Sequence, residues 1–94
     1  MFELSSKDKA ILRNAAQRLK PSVHVGKSGL SEGVVRELEI AFKDDELIKV
    51  AFKAERDEMK ELVEKVETSV NCICVGGVGK RRSFYRKMKV EEES

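Results

Sequence analysis

Residues 26–29 read Gly-Lys-Ser-Gly, two glycines bracketing a lysine and a serine. A glycine at each end lets the backbone approach a ligand closely and opens access to φ > 0. Lys27 supplies a mobile positive charge, and Ser28 a small hydroxyl that can donate or accept. Upstream lies the β-prone run Ser22-Val23-His24-Val25; downstream, Ser31 opens an amphipathic helical pattern. The start of that helix carries unpaired N–H groups and partial positive charge, which suits a phosphate. Glu32, just inside the helix, opposes an anion on the helix end itself, so a phosphate is expected over the loop's own N–H groups. These are the requirements of a loop that grips a sugar-phosphate backbone. The same spacing also fits an ordinary strand-to-helix turn, because short glycine motifs are common.

A second stretch, Lys80-Arg81-Arg82-Ser83-Phe84-Tyr85-Arg86-Lys87, interleaves cations with two aromatics. Strand alternation puts Arg82, Phe84 and Arg86 on one face and Arg81, Ser83, Tyr85 and Lys87 on the other. One face must pack on helices, so these cations cannot all reach one partner. Such a strand can be a charged edge that deters aggregation. It can also contact phosphates, with Phe84 or Tyr85 stacking on bases, and the density of cations favours this reading. The preceding Gly76-Gly77-Val78-Gly79-Lys80 is not a nucleotide-binding loop. Cys74 stands where that pattern needs glycine, Arg81 where it needs Ser or Thr, and a strand follows where a helix should. It reads as a hairpin turn.

Nucleophilic or acid–base catalysis finds no constellation here. His24 is the only histidine, no serine or cysteine stands at a catalytic-motif spacing from it, and the carboxylates fall on exposed helix faces. The chain is read as a non-enzyme without metal or cofactor. Cys72 and Cys74, two apart in a strand-like run, are poorly placed to bridge each other and make a poor zinc set. As reduced, packed residues they point to the cytoplasm.

The elements that position these stretches follow from periodicity. Ser5 or Ser6 caps a first helix whose stripe is Ile11, Leu12, Ala15, Ala16 and Leu19, ended by Pro21. Arg13 and Lys20 flank that stripe as the chain enters the glycine loop. Residues 22–25 form a first strand, with His24 as a spacer on the face opposite Val23 and Val25. Val34, Val35, Leu38, Ala41 and Phe42 mark a second helix to about Lys43, and residues 46–53 alternate as a second strand. Met59, Leu62, Val63, Val66 and Val70 mark a third helix, followed by strands at Cys72–Val75 and Lys80–Met88. The order α-β-α-β-α-β-β predicts a two-layer α/β domain with a four-stranded mixed sheet, the helices covering one face. Residues 1–90 are read as one domain and residues 91–94 as an acidic tail.

The 94 residues are 38% charged with a net charge of +2. Residues 1–29 hold six Lys/Arg against two acids, residues 30–69 seven against twelve, and residues 70–94 six against three. A fold that brings the basic ends together would present a face suited to polyphosphate. No apolar run approaches the roughly 20 residues that cross a bilayer. Met1 to Lys9 lacks the apolar core of an export signal.

In the order Leu12-Arg13, Leu19-Lys20-Pro21, Val25-Gly26-Lys27-Ser28-Gly29-Leu30, Glu32-Gly33-Val34, Glu46-Leu47-Ile48-Lys49-Val50 and Tyr85-Arg86, the chain resembles the CRM domain family (chloroplast RNA splicing and ribosome maturation) in its single-domain prokaryotic form. The resemblance spans about residues 4–88. It implies a two-layer α/β fold similar to the C-terminal domain of translation initiation factor 3. It also implies RNA binding by a KH-like Gly-x-x-Gly loop at Gly26, Lys27, Ser28 and Gly29. The family's basic surface maps onto Arg13, Lys20, Lys80, Arg81, Arg82 and Arg86. Gly76-Gly77 departs from the β-branched residues usual there, and Arg81, Arg82 and Ser83 replace mostly apolar or small ones. The implied function is binding of structured ribosomal RNA, or of pre-ribosomal particles, during large-subunit assembly. A cytoplasmic monomer without membrane contact is expected. The alternatives are an RNA chaperone or splicing cofactor for introns or transfer RNA, and a protein-interaction module docking on a ribosomal protein through its acidic middle helices.

Overall fold

Alternate residues of the chain's second strand, Ile48, Val50 and Phe52, are buried, while the residues between them are half-exposed. That alternation fixes which face of the sheet meets the main core. The computed structural model describes residues 4–87. In it the expected order appears as α1 (Ser6–Ala16), β1 (Pro21–Val25), α2 (Glu32–Asp44), β2 (Leu47–Phe52), α3 (Arg56–Val70), β3 (Ile73–Gly76) and β4 (Arg81–Tyr85). The sheet is mixed, in the order β1-β2-β4-β3. β1 and β2 run parallel, and β4 pairs antiparallel with both β2 and β3. Met88 and the acidic tail lie outside the described residues.

Val23, Val25, Ile48, Val50, Phe52 and Phe84 share one face with Leu38 and Phe42 of α2 and Met59, Val66 and Val70 of α3. Each such side chain contributes about 1.5–3 kcal/mol on leaving water. The Phe52 and Phe84 rings pack tilted, 6.4 Å between centroids.

These two helices form the helical layer. α1 instead lies on the opposite face of the sheet, where Ala16, Val75 and Ser83 are buried and Arg13 donates to the Val75 carbonyl oxygen at 3.1 Å. Its stripe is thin: Ala16 is buried, Leu12 half-buried, and Ile11 is 58% exposed. α1 also ends four residues before Lys20, with Gln17 as its C-cap, and Leu19 is exposed. The chain needs residues 17–20 to pass from that face to the edge strand β1.

The Gly76-Gly77 departure has a steric cause. The β3–β4 register shifts between Cys74 and Gly76, and Gly76 adopts φ +125°. A Cβ on Gly77 would lie 2.1 Å from the Arg81 carbonyl oxygen. Only glycine fits there, and the bulge it permits sets the hairpin.

Candidate nucleic-acid interface

Parallel pairing puts the C-terminal ends of β1 and β2 side by side, and β4 begins beside them. The Lys53 N–H donates to the Val25 carbonyl at 2.8 Å, and the Phe52 N–H to that of Lys80 at 2.9 Å. Loop 26–29, the β2–α3 turn and the β3–β4 hairpin therefore share one end of the sheet. In open α/β sheets that end is where ligands are received.

The loop is a closed turn, with the Gly29 N–H donating to the Gly26 carbonyl at 3.0 Å. Of the two glycines only Gly29 uses positive φ, at +80°, and its Cβ position faces Leu62 of α3. Gly26 has an ordinary φ, and a Cβ there would meet nothing within 4 Å. Its smallness serves the surface, not the backbone conformation. Lys27 and Ser28 are exposed, and their N–H groups find no acceptor among the described residues. The helix end beyond is already occupied: Ser31 Oγ accepts from the Val34 N–H at 3.2 Å, and Glu32 follows.

Lys53, absent from the sequence-based set, belongs to this end, tied to the last residue of β1 and exposed. Lys80 and Arg81 are exposed beside it. Arg13 and Arg81 line a cleft on the α1 face together with Lys80 and Lys49, and Lys49 was also missed. Only Lys49 had a signal, as a wet-face residue of an alternating strand. Lys53, the last residue of the expected second strand, is brought level with the glycine loop by the parallel pairing of β1 and β2. Arg82 turns to the other face, beside Arg56 of α3, and its guanidinium donates to the Gly79 and Arg81 carbonyls. It braces the hairpin.

Of the expected basic surface, Arg82 thus faces the α3 side, and Lys20 and Arg86 are not brought to this end at all. Lys20 precedes β1, one strand length away, about 17 Å at roughly 3.3 Å per residue. Arg86 is engaged: its Nη1 donates to Glu39 Oε1 and to the Val70 carbonyl, both at 3.0 Å, and its guanidinium lies 4.9 Å from the Phe42 ring centroid. α3 has no basic residue in its last turn, so Arg86 supplies the cation that its C-terminal carbonyls favour. Nor do the aromatics stack at the loop. Phe84 is fully buried. Tyr85 pairs with Leu47 at the far end, its hydroxyl pKa raised by burial and by Glu46.

Both cysteines are free. Burial, with Glu67 adding to it, pushes the Cys72 thiol up to about 12, and burial raises Cys74 as well. Among the described residues no three His, Cys, Asp or Glu side chains group as metal ligands would. No helix there is long and apolar enough to cross a membrane.

Known proteins are similar in sequence and in fold. A probable RNA-binding protein of Pseudomonas aeruginosa is 38% identical over 85 residues, covering 89% of this chain and 82% of its own. An RNA-binding protein of Haemophilus influenzae is 43% identical over 63 residues, covering 67% and 64%. Among solved structures, a hypothetical protein of Staphylococcus aureus, described as a "putative RNA binding protein", superposes with a TM-score of 0.84 at 29% identity, covering 97% of this chain and 96% of its own. The CRS1/YhbY (CRM) domain profile matches residues 4–86, and the chain belongs to that family.

Proposed function

We propose that this protein binds structured ribosomal RNA during large-subunit assembly, as a monomer in the cytoplasm. The observation that carries the reading is the exposed turn 26–29, whose Lys27 and Ser28 N–H groups find no acceptor among the described residues, at the same end of the sheet as Lys53 and Lys80. The relatives described as RNA-binding support RNA as the partner. The family resemblance supports the ribosomal precursor. In this mechanism the Lys27 and Ser28 N–H groups donate to phosphate oxygens, and nothing at Gly26 holds the backbone away. The Lys27, Lys53 and Lys80 ammonium groups neutralise neighbouring phosphates. Arg13 and Arg81 extend the footprint across the α1 face, and RNA shape rather than base edges sets the choice of site.

The test is affinity against salt for a large-subunit precursor fragment. Each phosphate contact contributes about 0.7–0.9 to the log–log slope, so Lys27→Glu should lower both the affinity and the slope. Unchanged binding by a folded Lys27→Glu protein would remove the loop from the interface. Sequencing RNA crosslinked in cells decides the substrate. Enrichment of large-subunit precursors supports the reading, and enrichment of introns or transfer RNA overturns it.

A further inference from the structure

Arg13 from α1, Lys49 from the middle of β2, and Lys80 and Arg81 at the start of β4 ring a cleft of about 640 Å³, separate from the loop. Ala16, Gly77 and Val78 supply small or apolar walls, and no Asp or Glu is among the described residues lining it. Like charges around a concavity repel one another and focus positive potential into it. Other clefts on the molecule differ. Along α3, Arg56, Lys60 and Arg82 are offset by Glu64 and Glu67. At the end of α2 the charged lining is Glu37, Asp44 and Asp45. Of these three clefts, only this one is lined by cations without an acid among the described residues.

Two of the cations are set in place. Lys49 is half-buried opposite Ser83 and makes no ion pair with a described residue. Arg13 is held by one bond to the Val75 carbonyl, which leaves most of its five N–H donors unused. The volume lies within the roughly 300–1,000 Å³ usual for small-ligand sites. Val78, 86% exposed at the hairpin tip, offers an apolar surface of the kind a base can rest against. Loop 26–29 follows the β1 edge and Arg13 is tied to the β3 edge. The three intervening strand spacings amount to about 14 Å. A short unpaired stretch of RNA can cross that width.

We propose that this cleft receives one unpaired nucleotide, its phosphate held by Arg13, Lys49 and Arg81 and its base laid against Val78, while loop 26–29 grips the backbone upstream or downstream. The proposal rests on the RNA reading above and shares Arg13 and Arg81 with it, but Lys49 and Val78 belong to the cleft alone. The ligand chemistry is a phosphorylated nucleoside, and the source argued for is an RNA strand, not a free nucleotide.

The test uses a blunt RNA stem, the same stem with a four-nucleotide overhang, and 5′-AMP. Lys49→Gln, at a residue outside the footprint described above, should weaken overhang binding about tenfold and blunt-stem binding by less than about twofold. The salt slope should fall by about 0.7 per lost contact for the overhang alone. Val78→Ser, at an exposed position that cannot disturb the core, should weaken overhang binding without changing the slope. A folded Lys49→Gln variant that binds the overhang like wild type overturns the proposal, and so does one that weakens both RNAs equally. Saturable 5′-AMP shifts at Gly77 and Val78, with no preference for the overhang, would give the cleft to a free nucleotide and overturn the RNA assignment. Lys27→Glu separates the two readings. Should it leave both RNAs tightly bound while the cleft variants still discriminate, the loop reading fails and the cleft stands.

Discussion

At the end of the sheet where β1 and β2 finish, Lys27, Lys53 and Lys80 stand exposed on turns and make no ion pair with a described residue. Where those strands begin, Arg86 lies 3.0 Å from Glu39, donates to the last turn of α3 and covers Phe42. Both ends are rich in charge, yet one holds cations ready for a partner and the other consumes its arginine in holding the fold. A cation's worth to a ligand depends on what already neutralises it. An arginine bonded to a carboxylate and a helix carbonyl would have to give up both before it met a phosphate.

The contrast predicts that charge changes at the two ends separate binding from stability. Lys27→Glu with Lys53→Glu should weaken RNA binding about 100-fold, or about 2.7 kcal/mol, with the thermal midpoint nearly unchanged. A large loss of stability would show that these side chains hold the fold after all. The closed end answers to pH instead. Folding raises the Cys72 thiol to about 12 from its ordinary 9, so the unfolded chain releases that proton first. The contribution is whole below about pH 9 and is lost as pH rises towards 12, on the order of 2.5 kcal/mol by pH 11. Denaturant melts of wild type and Cys72→Ala across pH 8–11 should converge as pH rises; parallel curves would contradict the burial argument.

Arg86→Ala should cost about 2 kcal/mol, because it strips a charged donor from the Val70 carbonyl and from Glu39. RNA affinity of the folded fraction should stay at the wild-type value. A drop in affinity without a drop in stability would move Arg86 back to the interface. The glycines sharpen the same division within the loop. Gly29→Ala forces a side chain into φ +80° and should cost about 1–2 kcal/mol. Gly26→Ala meets nothing within 4 Å and should leave stability alone while weakening RNA binding. Equal stability losses at both positions would mean that the loop is only a turn.

Most of the fold was legible because its signals are local. Ile48, Val50 and Phe52 announce a one-sided strand, and Ser31 caps α2 where its stripe begins. The placement of α1 was not legible, since Leu12 and Ala16 give a stripe too thin to say which face of a sheet it meets. The loop could be read from Gly26 to Gly29, but its neighbours could not. Lys53 joins it only through the parallel pairing of strands separated by a helix, which no local pattern encodes. Arg86 was half-legible. Alternation had put it on the face of Phe84, but its partners Glu39 and Val70 lie 47 and 16 residues away. The glycines at 76 and 77 read as a turn, while the close approach of Arg81 that requires them appears only in three dimensions.

Lys20 makes the smallest and most discriminating case. The chain runs from it directly into the strand that carries the glycine loop, so proximity in sequence assigns it to the RNA surface. β1 then carries the loop about 17 Å away, which exceeds the Debye length of about 8 Å at physiological salt. Lys20→Ala should therefore change RNA affinity by less than about twofold at 150 mM salt and leave stability within about 0.5 kcal/mol. At low salt, where screening reaches about 30 Å, a modest loss should emerge. A tenfold loss at physiological salt would mean that the RNA wraps from the loop along β1 to the far end. The two ends would then be one interface.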